Sequence, residues 1–238
     1  MLNLNDFTTI DFDMNFKKLQ FLKWYPWIGK KYKSCSTKIL IVGESHYLNK
    51  EQLERLEVIN NDIDHTRHCV YEAAVQNATE NGWKRNNSTY SNLNKIFQRY
   101  SYPSKQDFWS SVAYYNFIQR VMNYAIKERP TGQDFYNAWF GFVNILEIIK
   151  PDVCLFIGVA ASNTFHHVMN NMNRDFNLTR NSEKINRTYP RKASIIVNGS
   201  RINLHFIKHC SSYFSPDKWG NYLLENEENL EFLFNRNE

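Results

Sequence analysis

Four short apolar runs constrain the fold of this chain more than any other feature. Lys38-Ile-Leu-Ile-Val-Gly43 is β-branched and ends on glycine. Phe108-Trp-Ser-Ser-Val-Ala-Tyr-Tyr-Asn116 ends on a polar residue. Val153-Cys-Leu-Phe-Ile-Gly158 follows a Pro151-Asp152 break, and Leu204-His-Phe-Ile-Lys208 runs into a polar cluster. Each has the length and composition of a buried strand. Helical stretches separate them. Leu93, Ile96, Phe97 and Tyr100 share one face of residues 91–100, and Phe135, Ala138, Trp139, Phe142, Ile145, Leu146 and Ile149 recur with helical period over residues 131–150. Residues 49–60 and 160–170 also read as helices, and a polar, acidic helix closes the chain. Residues 194–203 read as a hairpin turned at Asn198-Gly199. Residues 61–90 read as polar, Asn-rich and irregular in part, and the Asn/Arg-rich residues 171–192 as an exposed excursion. The alternation predicts one α/β domain over residues 1–238 with a mostly parallel sheet, residues 1–36 packing on it as an extension. In such sheets a ligand sits beyond the carboxyl ends of the strands.

Composition narrows the class. A hydrophobic share of 42% supplies a core and excludes a disordered chain. The 29 Lys+Arg against 24 Asp+Glu leave +5, which permits a polyanionic partner without demanding one. No apolar run approaches the roughly 18 residues of a membrane span. The N-terminus lacks the basic and apolar regions of a secretory signal. Cys35, Cys69, Cys154 and Cys210 stand far apart with no C-x-x-C spacing. That suits a reducing cytoplasm better than a disulfide framework or a zinc knuckle. His166 and His167 are adjacent on a helix, point about 100° apart and make poor co-ligands. The expectation is a cytoplasmic monomer with no metal, no cofactor and no membrane attachment.

Three strand ends carry polar clusters: Gly43-Glu-Ser-His-Tyr47, Asn116 and His209-Cys-Ser-Ser212. If the strands are parallel neighbours, these meet in one cleft. Glu44 and His46 on a strand-to-helix turn have the chemistry to position water or move protons, or else they cap the turn. His209 has a hydrogen bond to offer to developing negative charge, or to a backbone carbonyl. Ser211 and Ser212 offer hydroxyls and N–H groups to a phosphate. Asn116 either reads a ligand edge or holds a turn. Residues 23–33 interleave aromatics with lysines, which fits base stacking and, better, core aromatics flanked by solvated cations.

The order of these clusters resembles the uracil-DNA glycosylase superfamily over roughly residues 38–215. The family's first motif is Gly-Gln-Asp-Pro-Tyr-His in one branch and Gly-Glu-Ala-Pro-Gly in another; Gly43-Glu44-Ser45-His46-Tyr47 is similar. Its base-reading Asn ends the next core strand, as Asn116 does in Val112-Ala-Tyr-Tyr-Asn116. Its last motif, His-Pro-Ser-Pro-Leu-Ser, is matched in place by His209-Cys210-Ser211-Ser212-Tyr213-Phe214. The chain departs from the family at Ser45, where the water-positioning Asp belongs, and at His46 and Cys210, where prolines belong. No cysteine set matches the iron–sulfur cluster of the second branch.

The resemblance implies a three-layer α/β/α sandwich around a four-stranded, mainly parallel sheet. It implies hydrolysis of the N-glycosidic bond of uracil, or of another damaged base, in single- or double-stranded DNA by base flipping. The catalytic set would be Glu44, Ser45 and His209. Gly43, His46, Tyr47, Tyr71 and Asn116 would bind the base, with Tyr71 stacking on it. Ser211, Ser212 and Tyr213 would grip DNA, with Tyr213 as the wedge. Loss of the Asp keeps a second reading open, a non-catalytic protein of this fold that binds nucleic acid or a nucleotide. A weaker third reads Gly-Glu-Ser-His as a hydrolase turn resembling erythromycin-esterase-like proteins.

Overall fold

A computed structural model of the chain describes residues 3–76, 88–98, 104–211, 213–228 and 230. Among these residues there are nine strands: β1 (Trp27–Ile28), β2 (Ile39–Gly43), β3 (His46–Leu48), β4 (Ala113–Asn116), β5 (Val121–Asn123), β6 (Val153–Ile157), β7 (Phe176–Arg180), β8 (Arg191–Val197) and β9 (Ser200–Ile207). The α-helices are α1 (Asp13–Phe16), α2 (Lys50–Leu53), α3 (Leu56–Asn61), α4 (His65–Val70), α5 (Ser88–Gln98), α6 (Lys105–Ser111), α7 (Gly132–Ile149), α8 (Ser162–Asn171) and α9 (Pro216–Asn226).

The four expected strands lie side by side and parallel in the order β4-β2-β6-β9. The sheet does not stop at four. β1 adds antiparallel to β4, and β8 and β7 continue antiparallel from β9, giving a seven-stranded mixed sheet. The extra strands arise where the sequence offered least signal. β1 is two residues long. β7 lies in the stretch read as irregular, where only Phe176 and Leu178 alternate with polar residues. The hairpin at Asn198-Gly199 forms, with both residues at positive φ as such a turn requires. Its second arm continues without a break into the fourth strand, making one eight-residue β9.

Other boundaries differ from expectation. Phe108 to Ser111 close helix α6 instead of opening a strand, because the Ser104 hydroxyl caps the Asp107 N–H and Phe108 and Trp109 bury their rings. Residues 49–60 form two short helices. Within residues 61–90, α4 and a π-helical turn (Tyr71–Val75) are ordered around the buried Arg67, which Asp13, Asp64 and the Pro26 carbonyl hold. Residues 77–87 and 99–103, including Tyr100 of the expected helical face, lie outside the described residues. The expected helix over 131–150 appears as α7, closed at its start by a Thr131/Asp134 capping box and at its end by left-handed Lys150.

Every residue of β2 is buried, and its two faces feed two cores. Leu40 and Val42 join Phe135, Trp139, Phe142 and Phe165 of α7 and α8. Ile39 and Ile41 join Leu93, Phe97, Trp109 and Trp219 of α5, α6 and α9. Trp24, Trp27 and Tyr32 are fully buried, so the aromatics of residues 23–33 are core. Among the described residues no helix is long and apolar enough to cross a membrane.

The topology also fixes where a site belongs. From β2 the chain moves to β4 on one side, then returns past β2 to β6 on the other. The strand order reverses at β2, and the crevice at its carboxyl end is where such sheets bind ligands.

Candidate functional site

Gly43 ends β2 directly beside Asn116, the last residue of β4. A Cβ at Gly43 would lie 2.2 Å from the Tyr114 hydroxyl and 2.4 Å from Asn116 Oδ1, so any larger residue here would displace these two side chains. Beyond it the chain turns into β3, which pairs parallel with β5 and places His46, Tyr47 and Leu48 beside residues 121–123.

Glu44 and Tyr47 come together at this turn. The Tyr47 hydroxyl donates to Glu44 Oε1. Arg129 donates to the Tyr47 hydroxyl at 3.3 Å, sits 3.7 Å from Glu44 Oε1 and lies over the Tyr47 ring. Burial and the neighbouring carboxylate push the Tyr47 phenol up to about 12, so it stays a donor. Arg129 was not foreseen, because 82 residues separate it from Tyr47 and nothing around it forms a motif.

Ser45 points elsewhere. Its hydroxyl donates to the Arg120 carbonyl, tying the turn to the loop before β5. That loop is held by Arg120, which pairs with both carboxylate oxygens of Asp134 at 2.8 Å and with Glu128 at 2.6 Å. The guanidinium holds the Asp134 carboxyl well below the usual carboxylate range. As pH falls through the ordinary range the unfolded chain takes up this proton first, so the stabilisation is present above that range and lost on acidification. Asp134→Asn is expected to cost up to about 1 kcal/mol at neutral pH, the range of a solvent-screened ion pair. The difference from wild type should shrink near pH 3 in urea unfolding, and an equal loss at both pH values would count against the ion pair.

His209 follows β9 across the crevice. It keeps contact with solvent, yet the protein packed around it desolvates the imidazolium and lowers its pKa. Glu44 pulls that pKa back up and Arg129 lowers it, so the three groups share one electrostatic neighbourhood. The Ser211 backbone N–H donates to His209 Nδ1 at 3.3 Å, with the Ser211 hydroxyl 2.9 Å from the same atom. A backbone N–H only donates, so Nδ1 accepts and the neutral ring carries its proton on Nε2.

Between these strand ends β6 stops at Gly158, whose φ of 151° suits glycine. A small hollow opens there, lined by Gly43, Glu44, Phe117, Phe156, Gly158 and Ala161 among others. Its free volume is about 10 Å³, room for one water at most. A larger hollow of about 420 Å³ lies beside the amino-terminal half of β9, lined by Lys192, Arg201 and Glu225 among others. It sits at the opposite end of the sheet from Glu44 and His209 and holds none of the expected residues.

Asn116 and His46 form a separate, buried network behind the turn. Asn116 Nδ2 lies 2.9 Å from His46 Nε2, and the Tyr114 hydroxyl donates to Asn116 Oδ1 at 3.1 Å. His46 also meets the Thr66 hydroxyl at 3.0 Å. Desolvation, helped by His65, pushes the His46 pKa down to about 3, so its ring is neutral. Tyr71 sits on the π-helical turn, where its hydroxyl accepts from Gln76 and its ring approaches Phe7. Tyr213 is 91% exposed at positive φ beyond His209. Ser212 lies outside the described residues.

Fold and site together define an α/β protein with a carboxylate, a phenol, a guanidinium and a neutral imidazole gathered at the carboxyl ends of parallel strands. No family model matches the chain, and no curated protein matches it.

Proposed function

We propose that the chain is a uracil-DNA glycosylase-like protein, a three-layer α/β/α sandwich that hydrolyses the N-glycosidic bond of uracil or another damaged base in DNA. The observation that carries this reading is the placement of Glu44 just past β2 and of a neutral, Nε2-protonated His209 just past β9, near enough for the carboxylate to act on the imidazole. In the proposed reaction the bond between the sugar carbon and the base nitrogen breaks, and its electron pair leaves with the base. His209 Nε2–H donates to the oxygen on which that charge gathers. Glu44 stabilises the sugar's cationic character and takes a proton from the attacking water. Tyr47 and Arg129 hold the Glu44 carboxylate in place. Exposed Tyr213 reaches into the base stack, with Ser211 and Ser212 on phosphate. Asn116 reads the base edge, and Tyr71 stacks on the base. The protein acts as a cytoplasmic monomer on single- or double-stranded DNA.

Uracil-containing single- and double-stranded DNA, scored for abasic sites, tests the reading. Wild type should generate them, and Glu44→Gln should slow release at least tenfold, about 1.4 kcal/mol of barrier, without lowering Tm. Absence of abasic sites on every damaged base tried sinks the catalytic reading.

A specific observation favours the second reading, a non-catalytic protein of this fold that binds nucleic acid. The amide of Asn116 is buried and engaged by His46 and Tyr114, and the hollow beside Glu44 admits a base only by displacing side chains. On that reading DNA is retained intact, with affinity falling steeply as salt rises.

A further inference from the structure

His46, His65 and Cys69 come from two elements and converge. One ligand atom from each lies within 4.8 Å of the other two. His65 opens α4 and Cys69 sits one turn later, so the i, i+4 spacing sets both on one face of that helix. Cys69 Sγ is already 3.6 Å from His65 Nε2. Zinc bonds of 2.0–2.3 Å at tetrahedral angles put ligand atoms about 3.3–3.8 Å apart, so this pair needs no rearrangement and His46 needs about 1 Å.

On His46 the outer contacts fall on Nε2, which meets Asn116 and the Thr66 hydroxyl, so the ion takes the other nitrogen, Nδ1. The other nitrogen of His65, Nδ1, faces Asp62 Oδ2 at 3.9 Å. That is beyond hydrogen-bond range, and the same oxygen meets His68 Nδ1 at 3.0 Å, so Asp62 acts on His65 as a nearby charge behind an imidazole whose far nitrogen points at a thiol. The Trp24 ring packs edge-on to His46 at 4.9 Å and lies 5.9 Å from His65, covering one side of the cluster, while His65 and Cys69 stay partly exposed. Two imidazoles and a thiol, with no carboxylate in the set, select a borderline-soft ion over magnesium or calcium.

We propose that His46, His65 and Cys69 bind one zinc-class divalent ion, with the fourth position taken by water. The ion displaces the Cys69 thiol proton to solvent and fixes β3 to α4, so it braces the turn that presents Glu44 and Tyr47. The site is independent of the glycosylase reading and stands or falls separately.

The test uses the full-length protein, stripped with a chelator and titrated with Co²⁺. One equivalent per chain should bind, with a thiolate-to-cobalt charge-transfer band and the intense visible bands of tetrahedral cobalt, and Zn²⁺ should bleach both. Cys69→Ser should abolish the charge-transfer band. Either Cys69→Ser or His65→Gln should weaken binding more than about 100-fold, since outer-shell changes alone cost 10–100-fold. Cys35→Ser should change nothing. No band in wild type, or a band that survives Cys69→Ser, overturns the proposal. If the Cys69 and His65 variants do not fold, wild type decides by alkylation mapped to individual cysteines. Zn²⁺ should protect Cys69 and spare Cys35, and equal rates with and without Zn²⁺ overturn the site.

Discussion

Replacing His209 with alanine is expected to slow single-turnover release of the base by about 10²–10³-fold, roughly 3–4 kcal/mol of barrier, the usual loss for one preorganised donor at a developing anion. Folding should hardly notice. The side chain is solvent-exposed at the end of β9, and its described hydrogen bonds run only to Ser211. Losing them costs about 1 kcal/mol, or some 2–4 °C of Tm in a chain of this size. The neutral ring is the active form, because protonation falls on Nδ1, which then no longer accepts from the Ser211 N–H that orients the ring. With its pKa lowered by desolvation, His209 stays neutral below the ordinary histidine range, so the acid limb of the rate profile should fall below about pH 6.5. A modest, parallel drop in rate and Tm would instead make His209 a strand-end residue. If wild type releases no base, the same variant goes into DNA titration at two salt concentrations. Weaker binding with an unchanged salt slope would set His209 against a base or sugar and not a phosphate.

The four central strands were legible because each is a short apolar run with a polar terminus, and burial on both faces leaves no other use for such runs. The same logic failed at Phe108 and Trp109. An apolar stretch preceded by Ser104 is also a capped helix, and the cap decided. β7 was missed because two apolar residues in five, facing a half-covered sheet edge, do not rise above a loop. At the site, the motif turn announced Glu44, Tyr47 and His209 by their position after strands. Arg129 left no trace, since a lone arginine in a loop gains meaning only from the Tyr47 and Glu44 it meets across 82 residues. Asn116 was visible as a strand end, but its partners His46 and Tyr114 were not. His65 and Cys69 carried one readable signal, the four-residue spacing on a helix. It was hidden inside a stretch whose Asn and Asp content reads as loop.

Trp139→Ala should have the largest effect on stability, about 3–5 kcal/mol, the range for deleting a fully buried tryptophan. For a chain of this length that is roughly 6–20 °C of Tm. The reason is also the reason the site has a floor. The Trp139 ring packs at 4.8–5.6 Å against Phe117, Phe142, Phe156 and Phe165, and two of these, Phe117 and Phe156, line the hollow beside Glu44. Its indole N–H donates to the Ala161 carbonyl at 2.9 Å, which anchors the residue that enters α8 on the hollow's far wall. Alanine removes the ring and its hydrogen bond and opens a cavity beneath the lining, leaving the Ala161 carbonyl to the Thr164 hydroxyl, so the aromatic floor loses its support along with the fold's stability. Trp139→Phe separates the two contributions. It keeps most of the ring contacts and forfeits one hydrogen bond to a carbonyl that the Thr164 hydroxyl still serves, so it should cost about 0.5–1.5 kcal/mol. Chemical denaturation of both variants gives the comparison. A loss under about 1 kcal/mol for Trp139→Ala would mean that the floor rearranges around the gap, and that the shape of the hollow does not depend on this residue.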